Sequence, residues 1–258
     1  MSRDAASINA ARRVAWVTGA GTGIGLAGVL ALAADGWHVV LSGRREDVLA
    51  QACAQIAAAG GSAQALALDV VDALAAEAAA QAIAARHGRI DLLVNAAGIN
   101  VQRRSWAECS AADWERVLDI NLKGTVHTMR AVLPAMRAAG GGAVINVASW
   151  AGRFTAAMPG AAYTASKSAV AALTHEFNIE EFRHGLRACC LLPAEVATPI
   201  LKLRPVVPSA EDQARMLQPD DLGRTIAFIA AMPPHVCINE VLMSPTWNRS
   251  FVAMAETR

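Results

Sequence analysis

The stretch Val14-Ala-Trp-Val-Thr18-Gly19-Ala-Gly-Thr-Gly-Ile-Gly25 joins a short apolar run directly to a cluster of glycines. The apolar run is typical of a buried strand, and a helical pattern follows over about residues 24–34 until Asp35-Gly36 ends it. Glycines in such a turn let the backbone approach an anion, to which the helix N-terminus offers free N–H groups and a partial positive charge. An ordinary tight turn is the alternative, but four glycines in seven residues disfavour it. This stretch therefore predicts the first strand, turn and helix of an α/β fold, with a phosphate site in the turn.

The remainder of the chain repeats this alternation of strand-like runs and helical patterns. Further strands are predicted at residues 38–42, 64–68, 90–94, 143–147, 187–192 and 240–243, and helices at 46–59, 73–87, from about 110 past 132, at 161–183 and from 219. Seven strands separated by helices imply a Rossmann-type, doubly wound parallel sheet between two layers of helices. We expect one domain at residues 13–258, a flexible leader at residues 1–12, and a mobile substrate loop at about residues 194–218.

Composition narrows the classes of protein that remain. The 258 residues are 54% hydrophobic and only 17% charged, with a net charge of +1, and no basic stripe suits a nucleic acid. The chain start lacks an apolar signal segment, and no apolar run reaches membrane-spanning length. The five cysteines show no CxxC spacing and fit reduced thiols without a metal site. We expect a cytoplasmic protein with no nucleic-acid, membrane or metal partner.

Gly43-Arg44-Arg45 follows the second predicted strand, where a dinucleotide fold meets the adenosine ribose. An acidic residue there would bind the free hydroxyls of NAD, whereas guanidinium groups suit the 2′-phosphate of NADP. The alternative is that both arginines begin the next helix on a solvated face. Asp69-Val70 is placed to touch the adenine edge, and the small residues of Asn95-Ala96-Ala-Gly98 permit close packing against a cofactor or a tight turn.

The only tyrosine of the chain belongs to Tyr163-Thr-Ala-Ser-Lys167. At four-residue spacing, Tyr163 and Lys167 share one face of a helix. A phenol titrates at about 10, and a neighbouring ammonium favours its phenolate, so the pair could exchange protons near neutrality. Ser149 follows the fifth predicted strand, at the edge where parallel sheets bind ligands. An incidental exposed pair and a turn serine are the alternatives. Asn121 lies in an apolar helical pattern, where buried asparagines are mostly structural.

Together these motifs resemble those of the classical short-chain dehydrogenases/reductases over about residues 12–245. The residues that carry the resemblance are Thr18-Gly19-x-x-x-Gly23-x-Gly25, Asn95-Ala-Ala-Gly98, Asn121, Ser149 and Tyr163-x-x-x-Lys167. The resemblance implies direct hydride transfer between a nicotinamide cofactor and a small-molecule secondary alcohol or ketone. It implies Tyr163 as the acid/base, Lys167 as the group that lowers the phenol pKa and binds the ribose, Ser149 as the group that orients the substrate oxygen, and Asn121 as the holder of a water.

The resemblance also implies a set of cofactor contacts and an assembly. The contacts are Gly19, Thr22, Gly23, Ile24, Gly25, Arg44, Arg45, Asp69, Val70, Asn95, Ala96, Gly98, Tyr163, Lys167, Pro193, Val196 and Thr198, with NADP favoured and NAD possible. The assembly is a homotetramer or homodimer, in agreement with the low charge content. Two departures are Ala194, where the family usually has glycine, and Thr22, where many NADP-dependent members carry a basic residue. The tail is similar to a subgroup that includes NADP-dependent 3-hydroxy acid dehydrogenases.

Two other functions remain open from the sequence, and a third is disfavoured. A 3-oxoacyl thioester reductase would use the same chemistry, and a catalytically silent NADP-binding regulator would keep the fold without turnover. A methyltransferase of similar fold predicts an acidic residue after the second strand, which Gly43 does not supply. Several basic residues could border the substrate pocket and bind a carboxylate or phosphate, although surface solubility explains any one of them: Arg103, Arg104, Arg153, Lys202 and Arg204.

Overall fold

The computed structural model describes residues 12–249 and 251–252. The predicted leader lies almost entirely outside these residues. The strands are β1 Val14–Thr18, β2 His38–Gly43, β3 Ser62–Ala67, β4 Leu92–Asn95, β5 Gly142–Val147, β6 Leu186–Pro193 and β7 Glu240–Met243. They form one parallel sheet in the order β3-β2-β1-β4-β5-β6-β7. The predicted doubly wound sheet is confirmed. After β3 the next strand, β4, is added on the other side of β1, so the strand order reverses between β1 and β4, where such folds bind ligands.

Eight α-helices flank the sheet in the described part of the chain. They are α1 Gly23–Ala34, α2 Glu46–Ala58, α3 Ala73–His87, α4 Ala111–Leu118, α5 Gly124–Ala139, α6 Ala161–Glu181, α7 Ala210–Arg215 and α8 Pro219–Ala231. No helix among the described residues combines the length and the apolar character that crossing a membrane requires.

The β1 strand shows how the sequence produces two cores. All five of its residues are buried, and their side chains alternate between the faces of the sheet. Ala15 and Val17 belong to the core that includes residues of α1 and α8. Val14 and Trp16 belong to the opposite core, which includes residues of α3, α5 and α6. The indole Nε1 of Trp16 donates to the Ser42 hydroxyl at 2.9 Å, so this large side chain is buried without an unsatisfied donor.

Two segments differ from the sequence-based expectation. The predicted single long helix after residue 110 is two helices joined by a π-helical turn, Asp119–Lys123. The segment from residue 200 to 218, predicted to lack a regular period, contains the end of a 3₁₀ turn at Pro199–Leu203 and all of α7. The Ser209 side chain and Asp212 form a reciprocal cap at the start of α7, which explains why so short a helix forms there.

A buried polar network ties the middle of the sheet to the helices on one face. Asn95 Nδ2 donates to Asn146 Oδ1 at 2.9 Å, and Asn146 Nδ2 donates to the Thr174 hydroxyl at 2.9 Å. The hydroxyl of Thr128 donates to Asn95 Oδ1 at 2.7 Å. These side chains belong to β4, β5, α5 and α6 and are all buried. The network therefore fixes the position of the carboxyl ends of two central strands.

We expect Asn146→Ala to lower the free energy of unfolding by about 2 to 4 kcal/mol, because it leaves the Asn95 amide donor buried without an acceptor and opens a small cavity. Urea unfolding at one fixed protein concentration measures the change. The exposed Gln102→Ala variant is the control and should change stability by less than about 0.5 kcal/mol. Similar losses in both variants would contradict a structural role for the network.

Candidate active site

The glycine turn after β1 has a backbone that requires glycine. Gly19 and Gly23 have φ angles of +64° and +57°, in the left-handed region that other residues rarely adopt. A Cβ atom on Gly19 would also lie 2.6 Å from the Ala97 backbone nitrogen and 2.7 Å from the carbonyl of Ala96. The turn after β1 is thus in contact with the small residues that follow β4. This packing brings together the carboxyl ends of β1 and β4, where the strand order of the sheet reverses.

The N-terminus of α1 is suited to an anion. Thr22 is the N-cap but makes no side-chain hydrogen bond to the helix, and the first turn contains no acidic residue. The N–H groups that open a helix lack intrahelical partners, so those of the first turn, which includes Ile24 and Gly25, can bind a phosphate. Thr198 lies on the other side of this turn, because a Cβ on Gly23 would be 3.2 Å from its Cγ2 atom. The residues present fit a dinucleotide.

Two exposed arginines follow the carboxyl end of β2. Arg45 is the N-cap of α2, and neither Arg44 nor Arg45 takes part in an ion pair within the described residues. Asp69, after β3, is also exposed, and its carboxylate accepts a hydrogen bond from the Val71 N–H at 3.2 Å. Val70 is buried, and its carbonyl accepts from His127 Nδ1 at 3.0 Å. Both guanidinium groups are therefore available to an external anion.

Tyr163, Lys167, Gly98 and Asn121 converge beside the ends of β4 and β5. The Lys167 ammonium lies 5.8 Å from the centre of the Tyr163 ring and donates to the Val147 carbonyl at 2.8 Å. A Cβ on Gly98 would lie 3.4 Å from the Lys167 Nζ atom and 3.5 Å from the Asn121 Oδ1 atom. Lys167 and Asn121, two of the predicted catalytic residues, thus lie in ordinary contact distance of the backbone at Gly98.

The pKa of the Tyr163 phenol is raised, chiefly because the group is buried. A hydrogen bond with Ser149 acts in the opposite direction, as do the positive charges of Arg204 and Arg104. Burial also lowers the pKa of Lys167, to about 8. The sequence predicts that Lys167 lowers the phenol pKa; in the cofactor-free protein the groups with that effect are Ser149 and the two arginines.

Asn121 lies in the π-helical turn and is completely buried. Its Oδ1 atom accepts from the Ile99 N–H at 2.8 Å, and its Nδ2 atom donates to the Ile99 carbonyl at 3.0 Å. The same Nδ2 atom donates to the Ser166 hydroxyl at 3.1 Å. Its side chain holds the segment after β4 against α6, and the water-holding role stays a prediction.

The remaining predicted residues lie at the ends of β5 and β6. Ser149 caps a short 3₁₀ turn, and its Oγ atom accepts from the Ala151 N–H at 3.2 Å. Pro193 ends β6, and Val196 is buried where it pairs with Leu217. The described structure gives no contact between Arg44, Arg45 or Asp69 and this group of residues, because they occupy the opposite half of the sheet edge.

Glu195 is a site residue that sequence reasoning missed. Its Oε1 atom accepts from Arg204 Nη1 at 2.6 Å, and its Oε2 atom accepts from Arg249 Nε at 2.7 Å. The hydrogen bonds from these arginines, working against burial, hold the pKa of Glu195 below its usual value. An acid two residues after the sixth strand was the available signal, but its partners cannot be inferred from spacing.

A doubly wound sheet with a glycine turn, an uncapped helix N-terminus and a Ser–Tyr–Lys group at one edge defines a dinucleotide-binding protein. The profile of the short chain dehydrogenase family matches residues 13–205. The chain therefore belongs to the short-chain dehydrogenase/reductase family of oxidoreductases, as its motifs predict.

Known proteins give the same assignment. An uncharacterized oxidoreductase of Staphylococcus saprophyticus is 33% identical over 239 residues, which are 90% of this chain and 97% of that protein. A glycine betaine reductase of Emericella nidulans is 34% identical over 239 residues, but this chain spans only 19% of its length. The crystal structure of a metagenomic short-chain oxidoreductase in complex with NADP is similar with a TM-score of 0.79 and 35% identity, covering 92% of this chain and 98% of that one.

The depressed pKa of Lys167 predicts a pH dependence of stability. Between pH 8 and pH 10.5 the unfolded chain binds a proton at this lysine that the folded protein lacks, so the free energy of unfolding should rise with pH in this window. The gain relative to Lys167→Met should reach about 3 kcal/mol. Urea unfolding of the cofactor-free protein measures it, with the exposed Lys202→Met variant as the control. An equal rise in wild type and Lys167→Met would contradict burial of a titrating ammonium.

Proposed function

We propose that this protein is an NADP-dependent oxidoreductase that interconverts a secondary alcohol and a ketone. The observation that carries the proposal is the convergence of Tyr163, Lys167 and Ser149 at the sheet edge that also holds the glycine turn. Each group has a chemical property that carbonyl reduction needs, and Tyr163 lies close to both of the others.

In reduction, the Tyr163 hydroxyl donates a proton to the substrate oxygen while hydride reaches the carbonyl carbon. When bound, NADPH supplies that hydride. The Ser149 hydroxyl, which interacts with the phenol, orients the substrate oxygen beside it. Lys167, buried and with a pKa of about 8, can return a proton to Tyr163 near neutral pH and can donate to a ribose hydroxyl. In oxidation the proton moves in the reverse direction.

Three observations favour NADP over NAD. Arg44 and Arg45 are exposed and without ion pairs among the described residues, at the strand end that faces an adenosine ribose. Gly43 stands where an acid would bind the free ribose hydroxyls. The similar metagenomic oxidoreductase is in complex with NADP. NAD is the second candidate, since no basic residue occupies the position of Thr22.

The finer parts of the function are proposals on the same grounds. A 3-oxoacyl thioester reductase would use the same residues with a different substrate loop, and a silent NADP-binding regulator would bind cofactor without turnover. We propose that the protein is cytoplasmic and that it assembles as a homotetramer or homodimer. Large apolar side chains exposed on α6 and α8 support the assembly. Ile179 is 65% exposed and Phe228 is 57% exposed, which suits burial between copies. Light scattering on the purified protein tests the assembly.

We expect Tyr163→Phe to lower kcat by about 100- to 10,000-fold and to leave NADPH binding intact, because only the proton donor is lost. The assay follows NADPH oxidation with 3-oxo acids, their esters, 3-oxoacyl thioesters, cyclic ketones and quinones. Thr164→Val is the matched control, since it removes a buried and unpaired hydroxyl one residue further along α6 and should keep full activity. Substantial turnover by Tyr163→Phe would remove Tyr163 from the acid/base role, and tight NADPH binding without any turnover in wild type would favour the regulator.

We expect the double variant Arg44→Ala, Arg45→Ala to weaken NADPH binding by about 10- to 100-fold and NADH binding by less than about threefold, because only NADPH carries the 2′-phosphate. Isothermal titration with each cofactor measures both constants. The double variant Arg86→Ala, Arg116→Ala makes the same change of net charge at exposed positions on α3 and α4. Equal losses for the two cofactors would show that these arginines do not select NADP.

A further inference from the structure

Arg104 is a buried cation beside the candidate active site. Its side chain is 7% exposed, whereas the neighbouring Arg103 is exposed. A Cβ on Gly160 would lie 2.7 Å from the Arg104 Cβ atom. Gly160 is the N-cap of α6, and Tyr163 belongs to the first turn of that helix. Arg104 therefore lies at a helix N-terminus, where the helix dipole disfavours a positive charge.

The guanidinium of Arg104 has no anionic partner within the described residues. It donates to two backbone carbonyls, that of Met158 at 3.4 Å and that of Leu203. Its Nε atom is buried without any hydrogen-bond partner. Burying a charge without a counterion is costly, and two neutral carbonyls satisfy only part of the guanidinium donor set. Arg104 thus has an unused N–H donor and an uncompensated charge.

A second arginine stands next to this group. Because Arg104 donates to the Leu203 carbonyl, it lies beside the peptide that joins Leu203 to Arg204. Arg204 donates to Glu195, and Glu195 is shared with Arg249. Asp212 approaches Arg249 only to 3.9 Å. Arg204 and Arg249 therefore share one closely paired carboxylate, and Arg104 has none. The charges of Arg104 and Arg204 both act on Tyr163.

We propose that Arg104 and Arg204 bind a carboxylate of the substrate, so that the reaction takes an oxo acid or the corresponding hydroxy acid. This inference rests on the proposed function, because it assigns the substrate of the same site. A planar carboxylate matches the fork of N–H donors on a guanidinium, and its charge offsets the excess that the protein leaves uncompensated. Arg104 also lines a cavity of about 260 Å³ with Trp114 and Ala161, whereas Arg204 and Tyr163 lie outside the lining of that cavity. Ala161 begins the helix turn that carries Tyr163.

A structural role for Arg104 makes a different prediction. If Arg104 only links residues 158 and 203, its removal would loosen the loop over the site and would lower kcat/KM for every substrate equally. If Arg104 binds a carboxylate, its removal would lower kcat/KM only for substrates that carry a negative charge. Matched pairs of a free acid and its methyl ester separate the two roles, since each pair shares the reacting carbonyl.

The experiment measures kcat/KM with NADPH for 2-oxopropanoate, 3-oxobutyrate and 4-oxopentanoate and for their methyl esters. For wild type we expect one acid to exceed its ester by about 10- to 100-fold. Arg104→Gln and Arg204→Gln should each lower kcat/KM for that acid by a similar factor and change the ester by less than threefold. Arg103→Gln, an adjacent variant with the same change of charge, should match wild type. Equal losses for acid and ester, or a wild type that prefers the esters, would overturn the proposal.

A binding measurement keeps the inference separate from the proposed function. Isothermal titration of the NADP-bound protein uses 3-oxobutyrate, its methyl ester and inorganic phosphate as probes. If the protein binds the acid and both Arg104→Gln and Arg204→Gln abolish that binding, the carboxylate site is supported even when no carbonyl is reduced. The absence of reduction would then count only against the proposed oxidoreductase function. If the enzyme reduces neutral ketones in a Tyr163-dependent reaction and shows no preference for acids, the carboxylate site is contradicted and the proposed oxidoreductase function is retained. Phosphate binding tighter than that of every acid would replace the carboxylate by a phosphate group.

Discussion

The paired hydrogen bonds between Asn121 and Ile99 are the interaction on which the geometry of the site depends. One side-chain amide satisfies both backbone groups of Ile99 and also reaches the Ser166 hydroxyl, so it joins the segment after β4, the π-helical turn and α6. Gly98 precedes Ile99, and its position close to Lys167 follows from this anchor. The π turn is the local irregularity that accompanies the anchor, as such turns often mark functional sites. Asn121 is thus the side chain that holds the segment after β4 at a fixed distance from α6.

Three ionisable groups near this anchor are held in environments that disfavour their charged forms. Lys167 and Arg104 are both buried, and burial disfavours the charged form of each, while Tyr163 is disfavoured as a phenolate. A protein selected only for stability would avoid three such groups in one place. Elsewhere in the described chain the charged pairs follow the usual pattern, as with Arg137 and Glu181, which neutralise each other between α5 and α6. This contrast supports the proposed roles of these residues in substrate binding and proton transfer.

Periodicity and turn residues were sufficient to predict the sheet, its seven strands and most of the flanking helices. Burial on both faces makes the central strands continuously apolar, whereas the edge strands β3 and β7 are only partly buried. The short helix α7 was missed because it is too short to show a period, and the π turn because its extra residue leaves the apolar pattern of the neighbouring helices almost unchanged. The proximity of Tyr163 and Lys167 was predictable because their spacing is local. Arg104 could not be separated from Arg103 by type or position, since only tertiary packing buries one and exposes the other. The partners of Glu195 are likewise set by the fold, with Arg249 lying 54 residues away along the chain.

Tyr163 is the only tyrosine in the chain, which has a consequence for spectroscopy. The ultraviolet absorption band of tyrosinate is distinct from that of the neutral phenol. The six tryptophans do not ionise over the pH range in which a phenol titrates. Any tyrosinate absorbance from the wild-type protein therefore arises from the proposed acid/base residue itself. The protein therefore carries a native chromophore at the proposed reacting position, and the protonation state of Tyr163 can be followed without a label.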